Sequence, residues 1–351
     1  MASFEELLDA WDGEEVVIHR DHESGAWMFI CVHSTRRGPA GGGTRMKTYD
    51  TPADALRDAM RLSQAMTSKL AVADLPFGGG KGVIAVQSLP DGDERRNLFL
   101  RYGELVGSLR GTYLTSSDMN TGPGDMDVIA ERTEWVAGKS TEAGGSGNPA
   151  PPTARGVYHG IRASLEQVFG SDDPSGRTLL VQGAGSVGSV LSDLLAADGA
   201  HVLVADVDND RAQGIADRVG GGVVAADDVY NTECDVYSPC AVGATLNSDT
   251  IGRLRCKIVA GSANNQLAES EDAERLHELG ILYAPDFVIN GGGVIAIVGL
   301  EQLGWDRDQL ASGLSGIGDT LREIYARAEK DGISTGRAAD AIVEMRLAAA
   351  A

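Results

Sequence analysis

Apolar and polar positions change rhythm several times along the chain, and each change marks an element. Residues 16–21 (VVIHRD) and 27–34 (WMFICVHS) alternate or run apolar as strands do. Residues 51–69 read as a helix, with Thr51 as cap, Pro52 in the first turn, and Ala55, Met60, Leu62 and Met66 supplying the buried face. Gly78–Gly80 predict a turn, with residues 82–86 (GVIAV) as a buried strand behind it. Residues 142–153 (EAGGSGNPAPPT) are the richest in Gly, Pro and Ser and predict a hinged connection between two domains. Residues 153–170 read as a long helix. The strand-like runs 234–240, 256–262 and 281–288 then predict a parallel sheet with ligand loops at its carboxyl ends, and helices follow from Gly299.

Between residues 177 and 208 the pattern is strand, glycine turn, helix, strand: the βαβ unit of a Rossmann domain. Gly183, Gly185 and Gly188 form GAGSVG between the apolar run TLLVQ and a helix, so the motif stands in the context that gives it meaning. Gly183 permits a tight turn, Gly185 lets backbone approach a pyrophosphate, and Gly188 allows close helix packing, while the helix N-terminus offers N–H groups to phosphate. Ser186 and Val187 complete the loop. Asp206 ends the next strand, where a carboxylate accepts bonds from ribose hydroxyls and repels a 2′-phosphate; the first arginine after it is Arg211. The expected cofactor is NAD.

The chain's 351 residues suit two domains with a cleft between them, an α/β domain followed by the Rossmann domain. A formal charge of -21, without a Lys/Arg cluster, disfavours nucleic acid and anionic membranes. An acidic N-terminus and the lack of a long apolar run predict a cytoplasmic protein. Cys31, Cys234, Cys240 and Cys256 form no CxxC pair, so buried free thiols are expected and no metal. There are only six lysines, and two of them, Lys69 and Lys81, flank the apolar stretch LAVADLPFGGG. Two ammonium groups partly removed from water push one pKa toward neutrality, so that one can bind an anion and the other act as a base. Asp118, in YLTSSDMNTGPGDMD, is a loop carboxylate able to hold an ammonium or, alternatively, to cap a helix; Asp125 and Asp127 read as helix-start acids.

The blocks HSTRRGPAGGGTRM, MTSKLAVADLPFGGGKGVI, TSSDMNTGPGDMD, VQGAGSVG, SPCAVGATL, AGSANNQL and YAPDFVINGGGVI, in this order, resemble the glutamate/leucine/phenylalanine/valine dehydrogenase family from about Trp11 to Arg346. The general look, including the tail VGLEQLGW, is nearest to the phenylalanine enzymes. The resemblance implies a substrate domain over 1–147, a Rossmann domain over 148–325, and helices of 326–351 packing back on the first. It implies that Lys69 binds the substrate carboxylate, that Lys81 activates water, and that Asp118 holds the substrate amine and shuttles its proton. Gly42 and Gly43 would place backbone near the carboxylate, and Thr153 would hold the nicotinamide amide. Asn264 would contact the nicotinamide ribose or the carboxylate, with Asn290 near the same junction, and Ser238, Pro239 and Cys240 would border the cofactor as backbone. The implied reaction is reversible, NAD-dependent oxidative deamination of an apolar L-amino acid to its 2-oxo acid and ammonium, by a homo-oligomer. The block TSSDMNTGPGD and the glycine at Gly291 depart from the usual family pattern and leave the loop shapes there open.

Two positions bear on the substrate. Gly41 stands where the leucine enzymes resemble this block but carry leucine, which opens space for phenylalanine, whereas Val294 matches the branched-chain enzymes. Phenylalanine is the expected substrate and leucine or valine the alternative. A silent NAD-binding sensor would have no use for Lys69, Lys81 and Asp118 together. A hydroxy acid dehydrogenase would need a His–carboxylate pair, and no histidine lies in a glycine-framed loop like that of Lys81.

Overall fold

The computed structural model describes residues 4–350. The chain divides into two compact units, Met1–Asn148 with Ile297–Trp305 and Met345–Ala351, and Pro149–Ala296 with Asp306–Glu344. In the first unit a helix α1 (Phe4–Trp11) precedes five strands, β1 (Glu15–Arg20), β2 (Trp27–Ser34), β3 (Ala40–Lys47), β4 (Gly78–Ala85) and β5 (Tyr113–Ser117), in the order β1-β2-β4-β3-β5. Strand β2 is antiparallel to both its neighbours, and β3 is parallel to both of its own.

The continuous apolar run of β2 feeds two cores, as its period of two requires. Phe29 and Cys31 pack with Trp11, Ala55, Leu56, Ala59 and Met60 under the helix α2 (Pro52–Val72). Met28, Ile30 and Val32 pack on the other side with Leu98, Phe99, Met126 and Ile129 of α3 (Gly92–Ser108) and α4 (Pro123–Ala130). Thr51 caps α2 by accepting from the Asp54 N–H at 3.2 Å, with Pro52 in the first turn.

Gly78–Gly80 are not a turn. They open β4, and β3 runs straight through AGGGTRMK beside it. The glycines are there because the neighbours are too close for side chains: a Cβ on Gly78 would lie 1.8 Å from the Ser34 carbonyl oxygen, and one on Gly79 would lie 2.1 Å from Thr67 Oγ1 of α2. Close approach, not chain reversal, selected them.

The second unit begins with α5 (Ala150–Phe169), which ends at Gly170 in the left-handed region, φ 75°. It continues through β6 (Thr178–Gln182), α6 (Ser186–Ala197), β7 (His201–Ala205), α7 (Asn209–Val219), β8 (Gly222–Val223), β9 (Val236–Pro239) and β10 (Ile258–Val259). Then come α8 (Asp272–Glu278), β11 (Leu282–Tyr283), the short α9 (Asp286–Ile289), α10 (Gly292–Glu301), α11 (Arg307–Asp331) and α12 (Thr335–Ala348). Its six strands are all parallel, in the order β11-β10-β9-β6-β7-β8. Residues 281–288, expected as one strand, break at Pro285, after which α9 starts.

Residues 326–344, expected to pack back on the first domain, group instead with the second unit. The helix α11 packs on α5, where Gly156 and Gly160 let Ile317 and Leu321 approach and Ser164 Oγ meets Tyr325 OH at 2.7 Å. The start of α12 is held where Ser334 Oγ donates to Glu274 and Thr335 Oγ1 donates to the Tyr283 carbonyl, each at 2.6 Å. Residues 345–350 group with the first unit, together with Ile297–Trp305. Glu301 from that segment accepts from the N–H groups of Gly138 and Ser146 and from Ser146 Oγ, tying down the loop that precedes α5. Among the described residues no helix is long and apolar enough to cross a membrane.

Candidate active site

Side chains two apart on a strand share a face, so Gly41, Gly43 and Arg45 of β3 line up beside Gly79, Lys81 and Val83 of β4 on the side covered by α2. Lys81 is 5% exposed, and its Nζ donates to Asp118 Oδ2 at 2.9 Å. Asp118 stands one residue past β5, and its N–H donates to Thr121 Oγ1 at 2.8 Å, which in turn donates to the Thr44 carbonyl at 2.8 Å. It caps no helix, since α4 starts from Gly122 and it is Asp125 that accepts from the Gly122 N–H, at 2.8 Å. Asp127 accepts from the Ser140 N–H at 3.0 Å.

Burial pushes the Lys81 ammonium below its ordinary pKa, an effect that Asp118 opposes and Arg45 reinforces. For Asp118 burial acts upward, but the charges of Lys81 and Arg45 outweigh it and hold the carboxyl at about 2. The pair is therefore a buried ammonium with a lowered pKa beside a carboxylate held ionised in the free protein. Arg45 is the residue that sequence reasoning missed: its Nε donates to the same Asp118 Oδ2 at 2.9 Å and its Nη1 to Asp58 Oδ2 at 3.0 Å. The period of two from Gly41 and Gly43 was the signal that places it on this face.

The other expected residues of this unit fall around the pair. A Cβ on Gly43 would lie 3.0 Å from Asp118 Cβ, and the Gly42 carbonyl accepts from the buried Tyr113 hydroxyl at 2.7 Å. Lys69 is half-buried in the last turn of α2. Its neighbour Leu70 presents Cδ1 3.5 Å from where a Gly41 Cβ would stand, with Phe77 Cδ1 at 3.8 Å, so the space beside Gly41 has apolar walls.

In the second unit the glycine loop fits a dinucleotide. Gly183 is at φ 116°, and a Cβ there would lie 2.8 Å from the Cys240 carbonyl carbon; a Cβ on Gly188 would lie 2.0 Å from the Gly183 oxygen. Gly185 faces open space at the start of α6, where Ser186 and Val187 begin the helix with N–H groups that have no acceptor inside it, an arrangement able to receive a phosphate. Asp206 accepts from the N–H groups of Ala184 (2.6 Å) and Asp208 (2.9 Å); burial acts to raise its pKa, but these bonds hold it below the usual carboxylate value. Two bonds leave lone pairs for hydroxyl groups.

Around that loop, Ser238 and Pro239 end β9 buried, and the Cys240 N–H donates to the Gln182 carbonyl at 2.7 Å. Asn290 Nδ2 donates to Asn264 Oδ1 at 2.8 Å, joining the two asparagines. Thr153 Oγ1 donates to the Pro149 carbonyl at 2.8 Å and lies where a Cβ on Gly293 would meet it, and Val294 follows half-buried in α10. Burial raises the thiols of Cys31, Cys234 and Cys256 to about 12, so they stay protonated.

Comparison with known proteins identifies the family. Residues 16–135 match the Glu/Leu/Phe/Val dehydrogenase dimerisation domain, and residues 204–351 match the Glutamate/Leucine/Phenylalanine/Valine dehydrogenase domain. Leucine dehydrogenase of Bacillus cereus is 43% identical over 98% of this chain and 93% of its own length. Phenylalanine dehydrogenase of Thermoactinomyces intermedius is 39% identical over 97% and 93%. The crystal structure of L-tryptophan dehydrogenase from Nostoc punctiforme superposes with a TM-score of 0.87 at 35% identity, covering 99% of both chains. The leucine enzyme thus shares more positions than the phenylalanine enzyme, against the impression given by the tail. The chain belongs to the glutamate/leucine/phenylalanine/valine dehydrogenase family and is an NAD(P)-dependent amino acid dehydrogenase acting on the CH–NH2 group.

Proposed function

We propose that the protein catalyses the reversible, NAD-dependent oxidative deamination of an apolar L-amino acid to its 2-oxo acid, ammonium and NADH. The observation that carries this reading is the buried Lys81 ammonium set 2.9 Å from the ionised Asp118. Lys69 takes the substrate carboxylate, and the backbone of Gly42 and Gly43 lies beside it. Asp118 accepts the substrate ammonium and takes up its proton, leaving the free amine. Thr153, Asn264, Asn290 and the strand end Ser238–Cys240 would hold the nicotinamide, which when bound would supply hydride acceptance from the α-carbon. Lys81 in its neutral form removes a proton from water, whose oxygen adds to the substrate iminium carbon. Asp118 then returns a proton to the nitrogen, and as the C–N bond breaks the carbinolamine hydroxyl gives its proton to the departing ammonia, leaving the 2-oxo acid and ammonium. Lys81→Ala is expected to abolish turnover while NADH titrated by fluorescence still binds, and near-normal turnover would refute the assignment.

Asp206 selects NAD: its carboxylate, already ionised by backbone donors, repels a 2′-phosphate. Turnover with NADP should be far below that with NAD, and Asp206→Ala should narrow the gap. For the substrate, the lack of a side chain at Gly41, with Leu70 and Phe77 as its apolar neighbours, favours L-phenylalanine. The second reading, leucine, rests on Val294 and on the 43% identity to a leucine dehydrogenase against 39% to a phenylalanine dehydrogenase. The ratio of kcat/KM for the two amino acids decides, and Gly41→Leu should move it toward leucine by about 10- to 200-fold, the usual range for a pocket-filling change. A family model described as a dimerisation domain over residues 16–135 supports self-association, which light scattering tests.

A further inference from the structure

Arg45 has no part in the roles above, yet its guanidinium reaches a carboxylate on each side. Nε donates to Asp118 Oδ2 at 2.9 Å and Nη1 to Asp58 Oδ2 at 3.0 Å. Asp58, on α2, is held in turn by the Tyr49 hydroxyl at 2.7 Å and by Arg61 Nη2 at 2.9 Å. Arg45 and Asp58 have only 15% and 14% of their side chains exposed, so neither contact is a solvated surface pair. Both cations, Lys81 and Arg45, meet Asp118 at the same oxygen, Oδ2, and among the described residues Oδ1 receives no hydrogen bond.

We propose that Arg45, anchored by Asp58, is a positioning residue for Asp118: it fixes Oδ2 against Lys81 and leaves Oδ1 for the proton exchange with the substrate nitrogen. The inference rests on the roles of Lys81 and Asp118 given above. If Lys81 were the sole cation on Asp118, the carboxylate would lose its orientation each time Lys81 gave up its charge. A planar guanidinium that stays protonated throughout and spans two carboxylates in fixed directions removes that dependence. The geometry also has an electrostatic signature. Asp118 beyond β5, Arg45 on β3 and Asp58 on α2 are the charged groups acting on Lys81, with Tyr49 and Arg61 behind Asp58. Arg45 disfavours the ammonium of Lys81, whereas Asp58 favours it.

The test uses the full chain and compares Arg45→Gln, Arg45→Lys and Asp58→Asn with Lys81→Ala, and with Arg96→Gln as a surface control whose partner Glu131 is equally exposed. Each variant is measured for kcat and KM across pH, NADH binding and melting temperature. Arg45→Gln should lose about 10²-fold in kcat, as expected when a reacting group is misplaced by an ångström, with KM and NADH binding little changed. The rise of activity with pH, assigned to Lys81 losing its proton, should move to higher pH in Arg45→Gln and to lower pH in Asp58→Asn. Arg45→Lys should return the pH profile toward wild type but not the full kcat, because an ammonium cannot bridge both carboxylates. A folded Arg45→Gln with wild-type kcat and profile overturns the proposal. Should that variant not fold, unaltered kcat and pH profiles in both Asp58→Asn and Arg45→Lys overturn it equally. If Lys81→Ala is inactive while Arg45→Gln is normal, only the positioning role fails; if Lys81→Ala stays active, the catalytic reading fails with it.

Discussion

Glycine clusters occur in both units for opposite reasons. In β3 and β4 they lie inside strands, at ordinary extended angles, because neighbouring backbone leaves no room: a Cβ on Gly42 would stand 1.8 Å from the Gly80 oxygen. In the loop after β6, Gly183 is needed for its φ of 116°, while Gly185 has nothing within 4 Å of where its Cβ would be. One cluster is crowded by the protein itself, and the other keeps an approach open for a ligand. Charge is held differently as well. Asp118 is fixed by two side-chain cations, and Asp206 by two backbone N–H groups. Side-chain networks can be tuned residue by residue, whereas a backbone cradle is set by the turn.

Three substitutions sharpen the contrast. Asp118→Asn keeps the shape but removes the charge that pairs with Lys81 and Arg45, so kcat should fall by about 10²–10⁴, the range for a lost acid–base group, with NADH binding intact. A fall of less than tenfold would show that the carboxylate is structural. Gly42→Ala forces a methyl group onto the Gly80 carbonyl and should cost about 1–3 kcal/mol of stability, as overpacking does, read as an earlier denaturant midpoint. An unchanged midpoint means β3 and β4 can separate freely and the crowding argument is wrong. Gly185→Ala, by contrast, should melt like wild type, since its φ of -78° suits alanine. It should weaken NADH by about tenfold, or ~1.4 kcal/mol, because the methyl occupies the ligand's approach. Wild-type NADH affinity in that variant would break the comparison.

How much of this was legible depended on whether the signal was local. The αβ alternation, the GAGSVG loop and Asp206 could be read because each is set by residues adjacent in sequence, and the loop angle at Gly183 is a property of the chain itself. β2 was legible as a strand from its apolar run, but that it feeds two cores appeared only in the packing. Gly78–Gly80 misled because glycine marks both turns and close approach, and the close approach comes from Ser34 and Thr67, distant in sequence. The grouping of 326–344 depended likewise on partners distant in sequence, α5 against α11 and Glu274 and Tyr283 against Ser334 and Thr335.

By itself the sequence carried the family resemblance, through two lysines around a glycine-rich stretch, a loop aspartate and a dinucleotide turn, although Lys81 lies inside β4 and not at an element end as the spacing suggested. Only the tertiary structure decided which oxygen of Asp118 meets Lys81 and that Arg45 and Asp58 stand behind it. Those four charges come from β4, the loop after β5, β3 and α2, and each is held by a neighbour far away in the chain. A buried charge network is specified by whichever elements pack together, and the order of residues along the chain carries no direct record of that.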